Sequence, residues 1–504
     1  MLNRIFGNDT ICALATPHGV GAIAVVRVSG SKAFPIVAKL FQRNGKSLEI
    51  SKIKPNTSYY GHLIDSQELL DEVLVTFYKA PHSFTGEDTV EISVHGSVYI
   101  QQKLLEILVS KGCRMAEAGE FSRRAFVNGK FDLAQAEAIA DLISSESEAS
   151  HRVAINQLRG GFSKELKVLR SKLLEMSSLM ELELDFSEED VEFADRSQLK
   201  ALLKETLDKV NNLKDSFRLG NAIKNGIPVA IVGQTNTGKS TLLNALLGED
   251  RAIVSDIAGT TRDTIEETLN IDGTLFRFID TAGIRDTDET IEKIGIERTF
   301  RKISEAYIVL GMVDGTQSIQ AIAESAKAII DKVNILKQKL ILLINKKDLM
   351  ETHMRFSIYD SLLYRLKDCY ERNIAANGGY MTDEYMYSVT GQDLYHIRDL
   401  MIFRVVSAKD FDDVEALQSD IARLGRWKNA SNDEVLVTNL RHYEALLHAS
   451  EALQQVQQGL EINIPIDLIS QDLRQALYHL GSITGEITTD EVLGTIFSRF
   501  CIGK

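Results

Sequence analysis

The chain has 504 residues, 44% hydrophobic and 25% charged. That is a globular composition too long for one core, so roughly two to four domains are expected. A formal net charge of −14 excludes a surface that coats nucleic acid by bulk electrostatics, so any RNA contact needs a local basic patch or a partner.

The four cysteines, Cys12, Cys113, Cys369 and Cys501, show no C-x-x-C spacing. This argues against a disulfide framework or a zinc site and for a reducing compartment. No long apolar run follows a basic segment at the start. The strongest apolar runs, "AIAVV", "IPVAIV" and "LILLI", are strand-length, well short of the ~18–20 residues of a membrane helix. The expectation is a soluble, cytoplasmic protein with no membrane segment.

Residues 1–122 mix short strand-like runs with turn residues, as in "DEVLVTFYKAPHSFTGEDTVEISVHGS", and the alternation in "TVEISVH" predicts a half-buried strand. The segment reads as an α+β domain. Residues 123–222 are helical, with Leu and Val three and four apart in "LKVLRSKLLEMSSLMELEL" and "LKALLKETLDKVNNLKDSF". Residues 223–427 alternate strands with helices, the signature of a parallel α/β sheet. Residues 428–504 are helical again. The economical arrangement is one helical domain built from both flanks, with the α/β unit inserted into it.

The clearest chemistry opens the third segment. In "VAIVGQTNTGKST" a strand, Val229 to Val232, runs into Gly233-x-x-x-x-Gly238-Lys239-Ser240, a phosphate-binding loop in strand–loop–helix context. Its glycines let backbone N–H groups close on phosphate oxygens at a helix start, and Asn236, Thr237 and Thr241 belong to the same loop. Lys239 supplies a point charge to the β- and γ-phosphates, and the Ser240 hydroxyl suits Mg2+. Read from the loop alone, Asn236 serves equally as a monovalent-cation ligand or as a turn residue.

Further on, "GTTRD" offers Thr261 as a switch hydroxyl for the same metal. "FRFIDTAG" is a strand ending in Asp280-Thr281-Ala282-Gly283, where Asp280 suits Mg2+ through water and the Gly283 N–H senses the γ-phosphate. "LILLINKKD" ends in Asn345-Lys346-Lys347-Asp348. A carboxylate at Asp348 accepts from the guanine N1–H and 2-amino group, donors that adenine lacks. "VVSAKD" adds Ser407, Ala408 and Lys409, with the Ala408 N–H closing the base pocket. In this order the motifs predict a guanine-nucleotide site on a Ras-like parallel sheet with flanking helices. Ile284 stands where Ras-like enzymes place a water-orienting Gln, and no arginine finger is evident, so hydrolysis needs another arrangement.

Over nearly its whole length the chain resembles the MnmE (TrmE) family of tRNA-modification GTPases. The resemblance rests on "ATPHGVGAIAVVRVSG", "SFTGEDTVEISVHG", "AGEFSRRAFVNGKFDLAQAEAIADLI", "GQTNTGKSTLLNAL", "AIVSDIAGTTRD", "DTAGIRDTDETIEKIGIER" and "FSRFCIGK". It implies a tetrahydrofolate-binding α+β domain at 1–122, a helical domain split between 123–222 and 428–504, and a TrmE-type G domain at 223–427. It implies a homodimer, GTP- and K+-dependent pairing of G domains, and a heterotetramer with an MnmG-type FAD protein. The implied product is a 5-aminomethyl or carboxymethylaminomethyl group on the tRNA wobble uridine, from 5,10-methylenetetrahydrofolate or 5-formyltetrahydrofolate. A regulatory or ribosome-assembly GTPase, which shares the G motifs, is the alternative.

Residue by residue, the resemblance implies that Asn236, Ser255, Ile257 and Thr260 ligate K+. The stretch Ser255, Asp256, Ile257, Ala258, Gly259, Thr260 and Thr261 contacts the nucleotide. Glu292 orients the catalytic water, acting with Lys239 and Asn236. Arg27, Glu91 and Lys130 contact the folate.

Two features stand outside this pattern. Asp348 and Ser407 are separated by 58 residues, more than the family pattern has, and the excess near 351–400 holds seven of the fourteen tyrosines. A self-packed surface insertion is the expectation, and a surface for RNA stacking or a partner is the alternative. The chain ends "FCIGK". Gly503 and Lys504 do not suit a prenylation box, and nothing local supplies a base for a reactive thiol. By the resemblance, the last helix delivers this tail to the folate pocket, with Lys504 a folate contact and Cys501 a candidate catalytic participant.

Overall fold

The computed structural model describes residues 9–66, 68–185, 196–248, 267–279, 305–334, 337–352, 401–425, 435–462, 464–498, 500 and 502–503, with scattered helix positions from 355 to 376. The chain forms two compact units: residues 1–144, 154–215 and 441–504, and residues 145–153 and 216–440. Among the described residues, no helix is long and apolar enough to cross a membrane.

The first unit opens with an eight-stranded sheet: β1 Thr10–Leu14, β2 Ile23–Ser29, β3 Phe41–Arg43, β4 Lys46–Ser47, β5 Thr57–Asp65, β6 Glu68–Tyr78, β7 Thr89–His95 and β8 Cys113–Met115. Its order is β4-β3-β5-β6-β7-β2-β1-β8. All pairs are antiparallel except β1 with β8. Period-two alternation sets its faces. Val73, Val75 and Phe77 of β6 and Val90, Ile92 and Val94 of β7 point into a core shared with helices α1 Ala33–Leu40 and α2 Val98–Ser110, while Glu72 and Leu74 face outward. The strand expected over "TVEISVH" is therefore β7.

Helices follow: α3 Glu120–Val127, α4 Leu133–Ile143, α5 Glu148–Leu158, α6 Gly161–Asp185 and α7 Arg196–Asn225. A capping box between Asp132 and Gln135 starts α4 by satisfying two N-terminal N–H groups.

The second unit holds β9 Ile227–Gly233, α8 Lys239–Leu247, β10 Glu267–Ile271, β11 Thr274–Phe278, β12 Ile308–Asp314, α9 Ile319–Ile330, β13 Lys339–Asn345, β14 Met401–Val405 and α10 Phe411–Gly425. Strand order is β10-β11-β9-β12-β13-β14. β10 and β11 form an antiparallel hairpin, and the other neighbours are parallel. Helices cover both faces, so β9, β12 and β13 are apolar almost without a break. Leu242, Leu246, Leu417 and Ile421 of α8 and α10 pack with Val229 and Ile231. Ile322, Ala326 and Ile330 of α9 pack with Ala230 and Val232.

Parallel β13 and β14 require a crossover connection, and the segment read as an insertion contributes to it. Ile358, Leu362, Leu366 and Cys369 are fully buried in the α9 cluster. Asn373 donates to the Ile330 and Val333 carbonyls, each at 2.7 Å. Among the described residues of this segment these positions join the core while Arg365 and Arg372 are exposed, so this part packs on the sheet unit rather than on itself, and its tyrosines lie outside the described residues.

Three last helices return the chain to the first unit: α11 Leu440–Glu461, α12 Ile466–Thr484 and α13 Asp490–Phe497. Leu166, Leu169, Leu173, Met176 and Met180, at alternating three- and four-residue spacing, give α6 an apolar stripe against α12. A buried polar cluster joins α4 to α11. Arg441 donates to Glu137 through Nε (3.0 Å) and Nη2 (2.9 Å), and to the terminal carbonyls of α12, Ser482 and Ile483. His442, 1% exposed, lies 2.6 Å from Glu137 through Nε2. The same Nε2 lies 3.0 Å from Arg441 Nη2, so carboxylate and guanidinium meet on one ring nitrogen.

Burial pushes the Glu137 carboxyl up, but His442 and Arg441 outweigh it and hold it well below the ordinary range. Burial lowers His442, against the opposing pull of the Glu137 carboxylate. Both shifts have the same sign for stability. Each group binds a proton more readily unfolded than folded, so stability is complete above the unfolded pKa and is lost as pH falls below 6.5 for His442 and below 4.5 for Glu137. Glu137→Ala should cost about 3–5 kcal/mol at neutral pH by removing the buried carboxylate that Arg441 and His442 share. It should also flatten the acid limb of the unit's urea midpoint. A wild-type midpoint and acid limb in the variant would refute this role.

Candidate functional site

In open parallel sheets, ligands sit beyond the carboxyl ends of the strands, where strand order reverses. Here that point is β9, flanked by β11 and β12. The loop after β9 is built as the motif requires. Asn236 adopts a left-handed φ of 60°, which Asn tolerates better than most residues. Gly238, φ 96°, caps α8, and any Cβ there would collide with Asn345 Nδ2. Thr237 is buried and donates its Oγ1 to the Gln234 carbonyl at 2.9 Å. Lys239 opens α8, with Nζ on the carbonyls of Gly233 (3.0 Å) and Gln234 (2.7 Å). Ser240 is half-buried and Thr241 exposed.

Three loops meet on one buried amide. Asn345 donates Nδ2 to the Thr237 carbonyl at 2.8 Å, and its Oδ1 accepts the Ala408 N–H at 3.0 Å. It thereby joins the phosphate loop to the base-closing loop. Asp348 is exposed, and its Oδ1 accepts from Ser407 Oγ at 2.9 Å. Lys346, at a left-handed φ of 67°, pairs with Asp314 Oδ2 at 2.6 Å. Burial raises the Asp314 carboxyl, but Lys346 and Thr316 outweigh it and hold it low. Lys409 is exposed. Ser255, Asp256, Ile257, Ala258, Gly259, Thr260, Thr261, Asp280, Thr281, Ala282, Gly283 and Glu292 lie outside the described residues, as do Cys501 and Lys504.

A second cluster lies in the first unit. Arg27 and Glu91 face each other across β2 and β7, and Arg27 donates through Nε (3.0 Å) and Nη2 (2.8 Å) to Glu91 Oε1. The guanidinium lies over the rings of Phe84 (5.0 Å) and Phe121 (5.7 Å). Its remaining Nη1 donates to the Gly503 carbonyl at 3.2 Å. Burial and the Glu91 carboxylate push the Tyr78 phenol up. Lys130 makes a different contact, its exposed ammonium donating to the Pro81 carbonyl at 2.9 Å.

The tail is seated by Ile502, bridged to Ala118, and by Phe497 and Phe500, buried with Leu133 and Ala136. Beneath, Arg124 is 2% exposed and pairs with Asp9, Glu87 and wholly buried Glu120. Sequence reading missed Phe84, Phe121, Tyr78 and Arg124. The only signal for Arg124 was its four-residue spacing from Glu120.

The family model described as the GTP-binding protein TrmE N-terminus matches residues 10–130, and that of the MnmE helical domain matches residues 133–501. The chain belongs to the MnmE (TrmE) family. The tRNA modification GTPase MnmE of Porphyromonas gingivalis is 48% identical over 501 residues, covering 99% of each chain. That of Bacteroides thetaiotaomicron is 49% identical over 496 residues, 98% of this chain and 99% of the relative. That of Flavobacterium johnsoniae is 48% identical over 505 residues, 99% and 100%. In this MnmE-family chain, Asn345→Ala should weaken GDP binding by about ten- to a hundredfold, because it orphans the Thr237 carbonyl and the Ala408 N–H. A fluorescent-GDP titration checks it, and an unchanged Kd would show that the amide does not hold the loops.

Proposed function

We propose that this chain is a K+-stimulated GTPase of tRNA wobble-uridine modification. In this reading it works as a homodimer with an MnmG-type FAD protein in a heterotetramer, and forms the 5-aminomethyl or carboxymethylaminomethyl group from a tetrahydrofolate one-carbon unit. The observation that carries the reading is the Asn345 clasp, which joins a phosphate loop to a guanine-closing loop in a chain of this family.

The described donors suit the ions. Hydroxyl and amide oxygens are hard ligands. Ser240, at the start of α8, with Thr261 would hold Mg2+. Asn236, exposed in its left-handed turn, with Ser255, Ile257 and Thr260 would hold K+. When bound, these ions neutralise charge developing on the phosphates. Lys239 adds its own positive charge, and Asp280 and Gly283 belong to the same constellation. Asp348 accepts the guanine N–H donors, and Ala408 closes the base side of the site with its own N–H held on Asn345 Oδ1 rather than offered to the base. Glu292 orients the attacking water indirectly, since Ile284 cannot.

At the second cluster, a guanidinium–carboxylate pair beside Phe84 suits a flat heterocycle with N–H donors, as in a reduced folate. Arg27 and Glu91 would bind it, Lys130 and Lys504 would approach its acidic end, and Cys501 would stand near the one-carbon unit.

GTP turnover should be several-fold faster in KCl than in NaCl, and equal rates would remove the K+ role of Asn236. Deleting residues 501–504 takes away the Gly503 partner of Arg27. It should abolish tRNA modification, read by nucleoside mass spectrometry, while sparing GTP hydrolysis. Loss of both activities would make the tail structural. Unchanged wobble uridines in a gene deletion would instead favour a regulatory or ribosome-assembly GTPase.

A further inference from the structure

One charged residue at the guanine edge is assigned by neither the motifs nor the family matches. Asp413 lies in the first turn of α10, with 15% of its side chain exposed. Its Oδ2 accepts the Ser407 N–H at 2.8 Å, and its Oδ1 accepts from Lys347 Nζ at 2.7 Å. The two partners come from different loops. Lys347 precedes Asp348 after β13, and Ser407 follows β14. Ser407 then donates its Oγ to Asp348 Oδ1 at 2.9 Å. The bonds form a closed circuit: Asp413 holds both the residue beside Asp348 and the residue that hydrogen-bonds Asp348.

We propose that Asp413 is a positioning residue for guanine recognition, fixing the Asp348 carboxylate through Ser407 and Lys347 in the orientation that receives the purine N–H donors. The inference rests on the guanine-nucleotide reading. Asp348 needs such help because it is exposed, in a single 3-10 turn, Lys347–Leu349. A carboxylate free to turn there loses entropy when the base arrives, and a preset one does not. A carboxylate in a helix's first turn is favourable in itself, but that role does not need Lys347. Charge-assisted bonds on both oxygens are what a clamp between two loops needs.

The test compares GDP, IDP and ADP binding by the full-length protein. IDP lacks the 2-amino group, so it reports how well Asp348 is aimed. Asp413→Ala should weaken GDP binding by about ten- to a hundredfold, the scale of losing hydrogen bonds to a charged group. It should narrow the preference for GDP over IDP and raise the KM for GTP, with kcat much less affected. Asp413→Asn keeps an acceptor for Ser407 and should recover part of both. Lys347→Met should show a smaller loss in the same direction, and it carries the test if Asp413→Ala does not fold. Wild-type GDP affinity and GDP-to-IDP preference in these variants would overturn the proposal. So would equal losses for GDP and IDP. Wild-type protein that binds ADP as well as GDP would overturn the guanine reading itself, before any variant is compared.

Discussion

Glu137 has to meet Arg441 and His442 across 304 and 305 residues of chain. The whole second unit, residues 145–153 included, lies between them in the chain. The entropy of closing so long a loop grows only slowly with its length. What decides success is whether the two helical halves find one register. Apolar rows such as those of α6 and α12 repeat similar side chains turn after turn, so they specify register less uniquely than a polar contact does. A buried carboxylate does not tolerate a slip by a turn, because displacement leaves it unpaired in a medium that penalises charge. Arg441 adds a second constraint by gripping the last carbonyls of α12, which fixes α4, α11 and α12 against one another. The seat of the C-terminal tail depends on this closure, because α13 follows α12 directly and packs on Leu133 and Ala136 of α4.

The second unit solves a related problem with a neutral group. Loops after β9, β13 and β14 emerge at one edge because the strands are parallel. Parallelism alone leaves each loop free. The Asn345 amide is small enough to be buried and has a donor and an acceptor to offer, so one side chain ties two loops without bringing a charge into the core. Gly238 is the matching concession, since no side chain fits where that amide sits.

Elements governed by local chemistry were legible in the sequence. β9 and β13 show as apolar runs because both sheet faces are covered, β7 shows by alternation, and the phosphate loop shows by its glycines and their offset from a strand. Arg27 and Glu91 were named by family resemblance alone, and their pairing across β2 and β7 was not visible. Glu137, Arg441 and Arg124 were not singled out, because a charged residue on a helix reads as solvated until a distant partner is known. The crossover between β13 and β14 misled for a physical reason. Ile358, Leu362, Leu366 and Cys369 have ordinary helical spacing, but length and tyrosine content drew the reading towards a surface insertion. The obligation that two parallel strands impose on their connection carries more information than either.

The terminal "FCIGK" drew notice through its cysteine, yet the described structure gives another residue the firmer constraint. Gly503 takes φ 95°, and a Cβ there would strike the Leu14 carbonyl. Only glycine combines that backbone with that approach at no steric cost. The approach puts the Gly503 carbonyl on Arg27 Nη1, while Nε and Nη2 of the same guanidinium hold Glu91. A guanidinium offers five N–H donors in a fixed plane, so seating the tail and gripping Glu91 are one geometric event. This segment thus meets the N-terminal sheet through a backbone carbonyl, which every residue has but which only a glycine at position 503 can bring close enough.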